Sequence, residues 1–178
     1  MALASPNVLN YTVGKGRVQV RVSGETNFRD LGNCPEFEFT PEIEKLDHFS
    51  SQTGVKSKDK TIVLSKKGTL RIVFEELTAE NMRLALLGSA ISEQSGGDQE
   101  IEIFGASQIT AEVKFIGTND YGPKYEYYFR QVDFIPSSGI SLISDEWLGV
   151  EITGEVSAVT VNGVSSFGTA TKFADGAA

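Results

Sequence analysis

The sequence predicts a mainly β fold: an antiparallel β-sandwich or barrel of two packed sheets, with one α-helix and one long extended hairpin loop. Several segments alternate apolar and polar residues, which is the period of a half-buried strand. Clusters of Gly, Pro, Asn, Asp and Ser separate these segments. One segment near residue 80 has a helical pattern with a capping residue at its start. Several short strands with a single helix are typical of a sandwich or barrel.

The length and composition indicate one domain without an electrostatic preference for nucleic acid. The chain has 178 residues, 40% of them hydrophobic, so we expect a single domain over 1–178 with flexible ends at about 1–14 and about 160–178. Its 24 acidic and 16 basic residues give a net charge of −8, which opposes contacts with phosphates. We find neither a signal-peptide pattern nor a run of about 20 apolar residues, so no membrane association is expected.

The first part of the chain predicts one strand and an irregular connection. Three valines alternate with polar residues over 17–22, which predicts a strand with one buried face. Residues 23–34 are rich in turn formers, and Phe28 and Leu31 are expected to anchor this connection to the core. Cys34 is the only cysteine, so no disulfide can form within the chain, and we expect a buried free thiol.

The segment 35–64 predicts a long hairpin around which the rest of the chain is organised. Residues 36–46 alternate apolar and acidic side chains, and residues 60–64 form a second, β-branched run. Residues 47–59 between them are too polar to bury and too long for a tight turn. We therefore predict an extended arm at the tip of the hairpin. On composition alone, an ordinary solvated loop remains the alternative.

A further strand is predicted over 68–76, followed by the helix over 78–87. Thr78 is a good N-cap, Glu80 suits the positive end of the helix dipole, and Gly88 provides a left-handed stop. The apolar stripe widens toward the end of the helix. We expect that end to be nearly surrounded by protein.

The remaining strands are predicted over 99–104, 109–117, 124–135 and 146–156, with turns between them. The strand over 124–135 has aromatic residues on both faces, which predicts that both faces are covered. Trp147 is expected to open the last strand. The tail from residue 160 onward is rich in Gly, Ala and Ser, so at least its final residues are expected to be disordered unless they dock on a partner.

No catalytic, cofactor or metal site is predicted. Cys34 and the pair Asp47-His48 could form a thiol–imidazole–carboxylate arrangement, but a buried thiol and a surface histidine are the simpler interpretation. One His and one Cys are too few for a structural zinc site. The acidic segments lack the spacing of a calcium-binding loop.

Two stretches carry a resemblance to a known family. Residues 28–64, FRDLGNCPEFEFTPEIEKLDHFSSQTGVKSKDKTIVL, followed by residues 76–88, ELTAENMRLALLG, closely resemble the major tail tube proteins of phages with long, flexible tails. The resemblance covers roughly residues 7–159 and is densest over 28–88. It implies two packed β-sheets with a helix, six subunits in a ring, and rings stacked into a hollow tube through which phage DNA leaves.

The resemblance also implies partners and a location. The partners would be copies of the same chain, as stacked hexameric rings, and other phage tail proteins, namely the tape measure, tail terminator and distal tail proteins. The location would be the virion tail, after assembly in the cytoplasm of the host bacterium. DNA would pass through the lumen without specific binding, and no cofactor or membrane is implied.

In this family, the residues aligned with 47–59 form a loop that docks one ring on the next. The implied ring-stacking loop consists of Asp47, His48, Phe49, Ser50, Ser51, Gln52, Thr53, Gly54, Val55, Lys56, Ser57, Lys58 and Asp59. We expect this loop to be mobile in an isolated subunit and ordered only against an adjacent ring, because it buries too little apolar surface alone.

An acidic lumen is expected if DNA is to slide through the tube, since carboxylates repel phosphates whereas Lys and Arg would hold them. The pleat that sends Phe37, Phe39 and Ile103 inward sends the neighbouring carboxylates to the opposite face. The candidate lumen residues are Glu36, Glu38, Glu100 and Glu102.

Part of the apolar surface of the helix is expected to contact a neighbouring subunit. The candidate interface residues are Met82, Leu84, Leu86 and Leu87.

Three other functions are weighed against this one. The tube protein of a type VI secretion system resembles the same fold, although the pattern over 35–64 favours the phage tail. A carbohydrate-binding β-sandwich is the alternative from another class, with exposed Trp147 or Tyr121 stacking on sugar rings. An enzyme comes last: the carboxylate pairs on the strands could mimic those of a glycosidase, but they alternate with apolar residues, and a solvated sheet face explains them without catalysis.

Overall fold

A computed structural model describes residues 7–52, 54–136 and 139–174, with the side chain of Pro136 left out. Thr53 of the predicted ring-stacking loop, the first six residues and the last four residues lie outside this description, as do two residues of the predicted turn at 136–139.

The described residues form twelve β-strands, one α-helix and a short 3₁₀ turn at Val8–Asn10. The helix α1 is Ala79–Ala85. The strands are β1 Gly16–Val22, β2 Arg29–Asp30, β3 Glu36–Ser50, β4 Ser57–Phe74, β5 Ile91–Glu93, β6 Gln99–Ile101, β7 Ile109–Gly117, β8 Tyr125–Pro136, β9 Val150–Val156, β10 Val159–Val161, β11 Val164–Ser166 and β12 Gly168–Lys172.

Eight strands form one antiparallel sheet in the order β2-β1-β7-β8-β9-β4-β3, with β12 added beside β8. Strand β8 is the branch point of this sheet. Its first half, 125–129, pairs with β12, and its last five residues, 132–136, pair with β9. The pairs β5–β6 and β10–β11 form two separate ribbons. The predicted mainly β, antiparallel fold is therefore confirmed.

The sheet closes on itself so that its two halves face each other. Phe37 of β3 stacks on Phe115 of β7, with ring centroids 5.1 Å apart, and Phe39 lies 4.9 Å from Phe129 of β8. Strands β3 and β7 lie far apart in the strand order, so these contacts require the sheet to fold over. The two packed sheets of the prediction are thus two halves of one continuous sheet.

The core lies between these halves and is capped by α1. It is built by alternation: every second residue of β1, β4, β7 and β9 points inward. The buried apolar residues are Val18, Val20, Val22, Leu31, Leu70, Ile72, Phe74, Leu84, Ala85, Leu87, Ile109, Ala111, Val113, Phe129, Val132, Phe134, Val150, Ile152 and Val156. Strand β8 keeps its inward face across a bulge opposite Ala111 and Val113.

Helix α1 begins as predicted and ends differently. The Thr78 side chain accepts a hydrogen bond from the backbone N–H of Asn81 and caps the helix. The left-handed residue at the other end is Leu87, with φ of 47°, and not Gly88. The Gly88 position is tight for another reason, since a Cβ there would lie 2.4 Å from Ile101.

Some predicted strand boundaries are wrong. The runs 60–64 and 68–76 belong to one strand, β4, which continues without a break to Phe74. The strand over 99–104 ends at Ile101, and Ile103, expected in the core, is 60% exposed. The strand over 146–156 begins only at Val150, so Trp147 precedes it. The chain after residue 160 is also less irregular than expected, because β12 completes the sheet beside β8.

The buried Asn81 generates a first testable prediction. Its side-chain amide donates to the carbonyls of Leu31 and Glu76, at 3.0 and 2.8 Å, and its oxygen accepts from Arg29. Asn81→Ala leaves these buried partners unsatisfied, so we expect the free energy of unfolding to fall by about 2–4 kcal/mol. Urea titration followed by circular dichroism measures this change.

Asn27→Ala is the matched control, because Asn27 is exposed and its replacement should change the unfolding free energy by less than about 0.5 kcal/mol. Equal stability of the Asn81 variant and the wild-type chain would contradict the structural role of this amide.

Candidate functional surfaces

The β3–β4 hairpin extends well beyond the body of the protein. Strand β4 pairs with β9 only from Gly68 to Phe74, whereas β3 and β4 pair with each other from Glu36 to Ser50. Residues 41–67 therefore form a two-stranded projection, which we call the arm. Ten residues of extended strand give the arm a length of about 30 Å.

The arm is exposed on both faces even though it carries large apolar side chains. None of its described residues is buried. Seven apolar side chains are each 44–80% exposed: Ile43, Leu46, Phe49, Val55, Ile62, Val63 and Leu64. Exposed apolar side chains scattered singly are normal on a protein surface, but a contiguous set is typical of an interaction surface.

Polar contacts across the arm align its two strands. Asp47 accepts a hydrogen bond from Thr61, at 2.7 Å, and pairs with the Lys58 ammonium at 2.8 Å. The hydrogen bonds from Lys58 and Thr61 lower the pKa of Asp47. Farther toward the tip, His48 Nδ1 lies 2.6 Å from the Asp59 carboxylate. These contacts are solvent-exposed, so they fix the pairing register more than they add stability.

Only part of the predicted ring-stacking loop, 47–59, is a loop in the structure, because both of its ends belong to strands. Of residues 47–59, Asp47 to Ser50 belong to β3, and Ser57 to Asp59 belong to β4. Among the described residues of this segment, only 51–52 and 54–56 lie outside the two strands. The segment is nevertheless where the sequence places it, at the far end of the arm.

An acidic surface covers the outer side of one half of the sheet. Outside the arm, the outward positions of β3, β4 and β9, with the end of β8, carry five carboxylates and one cation: Glu36, Glu38, Asp133, Glu151, Glu155 and Arg71. We call this set the acidic face. Arg71 pairs with Glu36 and with Glu151. Partial burial raises the pKa of Asp133, but hydrogen bonds from Thr110, Gln131, Gln108 and Ser157 lower it overall, so this group stays ionised at neutral pH.

The four candidate lumen carboxylates do not share one surface. Glu36 and Glu38 lie on the acidic face. Glu100 and Glu102 lie on or beside the separate β5–β6 ribbon, where they accept hydrogen bonds from Gln94 and Ser89. The sequence suggested equivalence because all four alternate with apolar residues, but strand β6 is only three residues long.

The outer side of the other half of the sheet is cationic and aromatic. Strands β1, β7 and β8 direct Arg17, Arg21, Lys114 and Arg130 outward, beside Glu112 and Glu126. Arg21 pairs with Glu112 at 2.5 Å. Arg21 and Lys114 lie 4.7 and 4.4 Å from the centre of the Phe28 ring, in cation–π geometry. This basic face points away from the acidic face, because the two halves of the sheet meet through their inner sides.

An aromatic groove opens between the two halves, near the base of the arm. It is lined by Phe37, Phe39, Phe115, Tyr127 and Phe129 and has a volume of about 310 Å³. Phe39 and Tyr127 are 38% and 40% exposed. Sequence reasoning missed this groove, because its walls come from β3, β7 and β8, which meet only across the closed sheet.

A loop with three highly exposed apolar side chains joins β8 to β9. We call residues 139–149 the tryptophan loop. Ile140 and Leu148 pack against the core, whereas Leu142, Ile143 and Trp147 are 78%, 94% and 96% exposed. Tyr121 precedes β8 and Trp147 follows it, so these two aromatic residues lie near opposite ends of one strand and do not form a common platform for a sugar.

The candidate interface residues of α1 divide into two groups. Leu84 and Leu87 are 2% and 5% exposed in a single chain, so they pack in their own core and are not available to a neighbouring subunit. Met82 and Leu86 are half-buried and remain candidates.

The structure separates Cys34 from His48. Cys34 precedes β3 and His48 lies near its far end, and extended chain of this length spans about 40 Å. Burial, followed by the nearby carboxylates of Asp30, Glu76 and Glu75, raises the pKa of Cys34 to about 12. The thiol is therefore protonated at neutral pH, and the thiol–imidazole arrangement is not formed. Within the described ranges, no three His, Cys, Asp or Glu side chains converge on a metal-sized space.

Among the described residues, no helix is long and apolar enough to cross a membrane.

Comparisons with known proteins give one family and several solved structures. No curated protein matches the chain. The fold is similar to a chain in the tail of an empty GTA particle with C6 symmetry, at 11% identity, covering 92% of this chain and 98% of that chain, with a TM-score of 0.47. It is similar also to a chain of the six-fold symmetrised anti-feeding prophage (AFP) baseplate, at 9% identity, covering 95% and 97%, with a TM-score of 0.49.

Residues 11–99, half of the chain, match the family described as protein of unknown function UCP028589. This match includes β1 to β5, the arm and α1. The chain therefore belongs to the UCP028589 family of proteins of unknown function.

Proposed function

We propose that the protein is a structural component of a phage tail, a tail tube protein that assembles into stacked hexameric rings. The rings form a hollow conduit for DNA ejection. The proposal includes the virion tail as its location, assembly in the host cytoplasm, and contacts with the tape measure, tail terminator and distal tail proteins. The single observation that carries it is the arm, an apolar projection uncovered on both faces, in the region where the sequence resemblance is densest.

The arm needs a partner for physical reasons. An isolated two-stranded hairpin is marginally stable in water, and no third strand pairs with the arm among the residues that the structure describes. Its half-exposed apolar side chains gain stability only when another surface removes them from water. A neighbouring ring supplies that surface in a stacked tube, and residues 47–59 are the first part of the arm to reach it.

The acidic face is the proposed lining of the lumen. Five carboxylates against one cation leave this surface negative, so it repels DNA phosphates at short range. Glu36 and Glu38 lie on this face, and the basic face points in the opposite direction, where it cannot hold the genome. Glu100 and Glu102 are not included in the proposed lining, because they lie on the separate ribbon.

Shortening the arm tests the stacking role. Glu42 pairs with Lys67, so replacing residues 43–66 with Asn-Gly closes the hairpin through a two-residue type I′ turn. We expect this variant to keep the unfolding transition of the body and to form no tubes in negative-stain electron microscopy.

A matched control keeps the length of the arm and changes only exposed polar residues. Lys60→Ser with Lys66→Ser, at exposed positions outside residues 47–59, should assemble like the wild-type chain, whereas Ile43→Ser with Phe49→Ser should weaken assembly strongly. Full-length tubes from the shortened variant would show that the arm does not dock one ring on the next.

Charge reversal tests the lumen. Glu36→Lys with Glu38→Lys should permit tube assembly and make the tubes retain duplex DNA at low salt. Each added phosphate contact steepens the salt dependence, with a slope of about −0.9 per contact in a double logarithmic plot. Co-sedimentation of tubes with labelled DNA across a salt series measures this retention.

Glu100→Lys with Glu102→Lys is the control, because it changes the net charge by the same amount on the separate ribbon. Retention of DNA by this control, or its absence in the Glu36/Glu38 variant, would place the lumen elsewhere on the protein.

A further inference from the structure

Two uncovered apolar features remain after the arm is assigned: the aromatic groove and the tryptophan loop. We propose that the tryptophan loop of one copy inserts Trp147 into the aromatic groove of a second copy. This contact deepens the proposed function, because it assigns a second interface between copies of the chain.

The groove has the properties of a receptor for a large apolar side chain. Its walls are five aromatic rings, and its volume of about 310 Å³ is at the small end of the range of binding pockets. Strand β12 borders it with small residues, since Gly168 lies opposite Phe129 and Ala170 lies opposite Tyr127. The groove therefore stays open on this side.

The tryptophan loop has the properties of a segment that binds in such a groove. Trp147 is 96% exposed, although a tryptophan is among the side chains that gain most from burial. The two ends of the loop are held by Ile140 and Leu148, which pack against the core, so the loop is anchored while Leu142, Ile143 and Trp147 stay exposed. The Ser144 hydroxyl accepts a hydrogen bond from the backbone N–H of Glu146, at 3.0 Å, and supports the turn before Trp147. Anchored aromatic side chains of this kind are typical centres of protein interfaces.

The charges beside the two features are complementary. Asp145 and Glu146 precede Trp147 directly. Lys172 is exposed and lies opposite Tyr125 on β12, on the side of the sheet that faces the groove. Among the described residues, Lys172 has no salt bridge in its own chain. A loop inserted into the groove brings opposite charges together at the rim.

The occupant must come from another copy because the two features lie at different ends of β8. Tyr127 is near its start and the loop follows its end, which separates them by roughly 25 Å along the strand. A patch that fits a pocket elsewhere on the same molecule gives a heterologous contact, and such contacts generate closed rings or open helical stacks. Both products are compatible with a tube built from one chain.

The chain contains one tryptophan, so its fluorescence reports directly on this contact. We expect emission typical of a water-exposed indole in dilute protein. As the full chain associates, the emission should move to shorter wavelength and quenching by acrylamide should decrease. Sedimentation velocity on the same samples gives the degree of association.

Tyr127→Glu tests the groove. In the proposed contact, Asp145 and Glu146 of the second copy lie beside this position, so the added carboxylate repels them. We expect it to raise the concentration for half-association by roughly tenfold or more, the effect of losing a central contact, and to abolish the shift in emission. Tyr121→Glu is the matched control, since Tyr121 is also exposed but does not line the groove. The control should associate like the wild-type chain.

A cross-linking experiment covers the case in which Tyr127→Glu does not fold. In a Cys34→Ser background, chains with Glu146→Cys are mixed with chains carrying Ala170→Cys. A disulfide between the two chains is expected, because the contact brings their Cα atoms within about 7 Å. Val164→Cys, at an exposed position on β11, replaces Ala170→Cys in the control and should not cross-link.

The outcomes separate this contact from the proposed function. Tubes in which the indole stays exposed overturn the contact and leave the tail tube intact. A Tyr127-dependent emission shift without tubes supports the contact and counts against the tube. If Tyr127→Glu weakens association while the wild-type emission never shifts, the arm of a second copy occupies the groove, and the proposal is wrong. A chain that stays monomeric at all concentrations also overturns it.

Discussion

The packing of Phe37 and Phe39 against Phe115 and Phe129 is the interaction on which the architecture depends. Without it, an eight-stranded antiparallel sheet would be open, with one apolar side in water. With it, the two halves of the sheet enclose a core and their outer sides point in opposite directions. The separation of acidic and basic faces follows from this closure, and so does the direction in which the arm leaves the body.

The closure also explains why the sequence predicts some elements well. Strands β1, β7 and β8 lie where alternation places them, to within about one residue, because alternate side chains are buried along most of each strand, so the apolar–polar pattern follows the pleat. The start of α1 was equally predictable, since Thr78 caps it through a local hydrogen bond. Strand β4 was not, because its arm portion buries nothing and its pairing depends on β3.

A candidate surface can be predicted from the sequence when the residues of one strand form it. It cannot when residues from strands far apart in the chain form it. The outward direction of Glu36 and Glu38 follows from period-two alternation. The sequence predicts the arm as a projection but predicts a loop for its paired outer strands, because lysines and small polar residues dominate its tip. The aromatic groove joins β3 to β7 and β8 across the closed sheet, so no local pattern could show it. The sequence predicts Trp147 at the start of the last strand, whereas the structure places it in an exposed loop before that strand.

The continuity of β4 has a mechanical consequence. One uninterrupted strand of 18 residues forms half of the arm and also the centre of the body, where it pairs with β9 from Gly68 to Phe74. A force along the axis of the arm therefore acts on all the β4–β9 hydrogen bonds at the same time, in shear. These bonds must then break together. If the strand ended at the base of the arm, the hydrogen bonds that hold the arm could break one at a time. In the proposed assembly, tension between neighbouring molecules would therefore be carried directly into the most deeply buried part of the fold, and the arm would act as a tether as well as a contact.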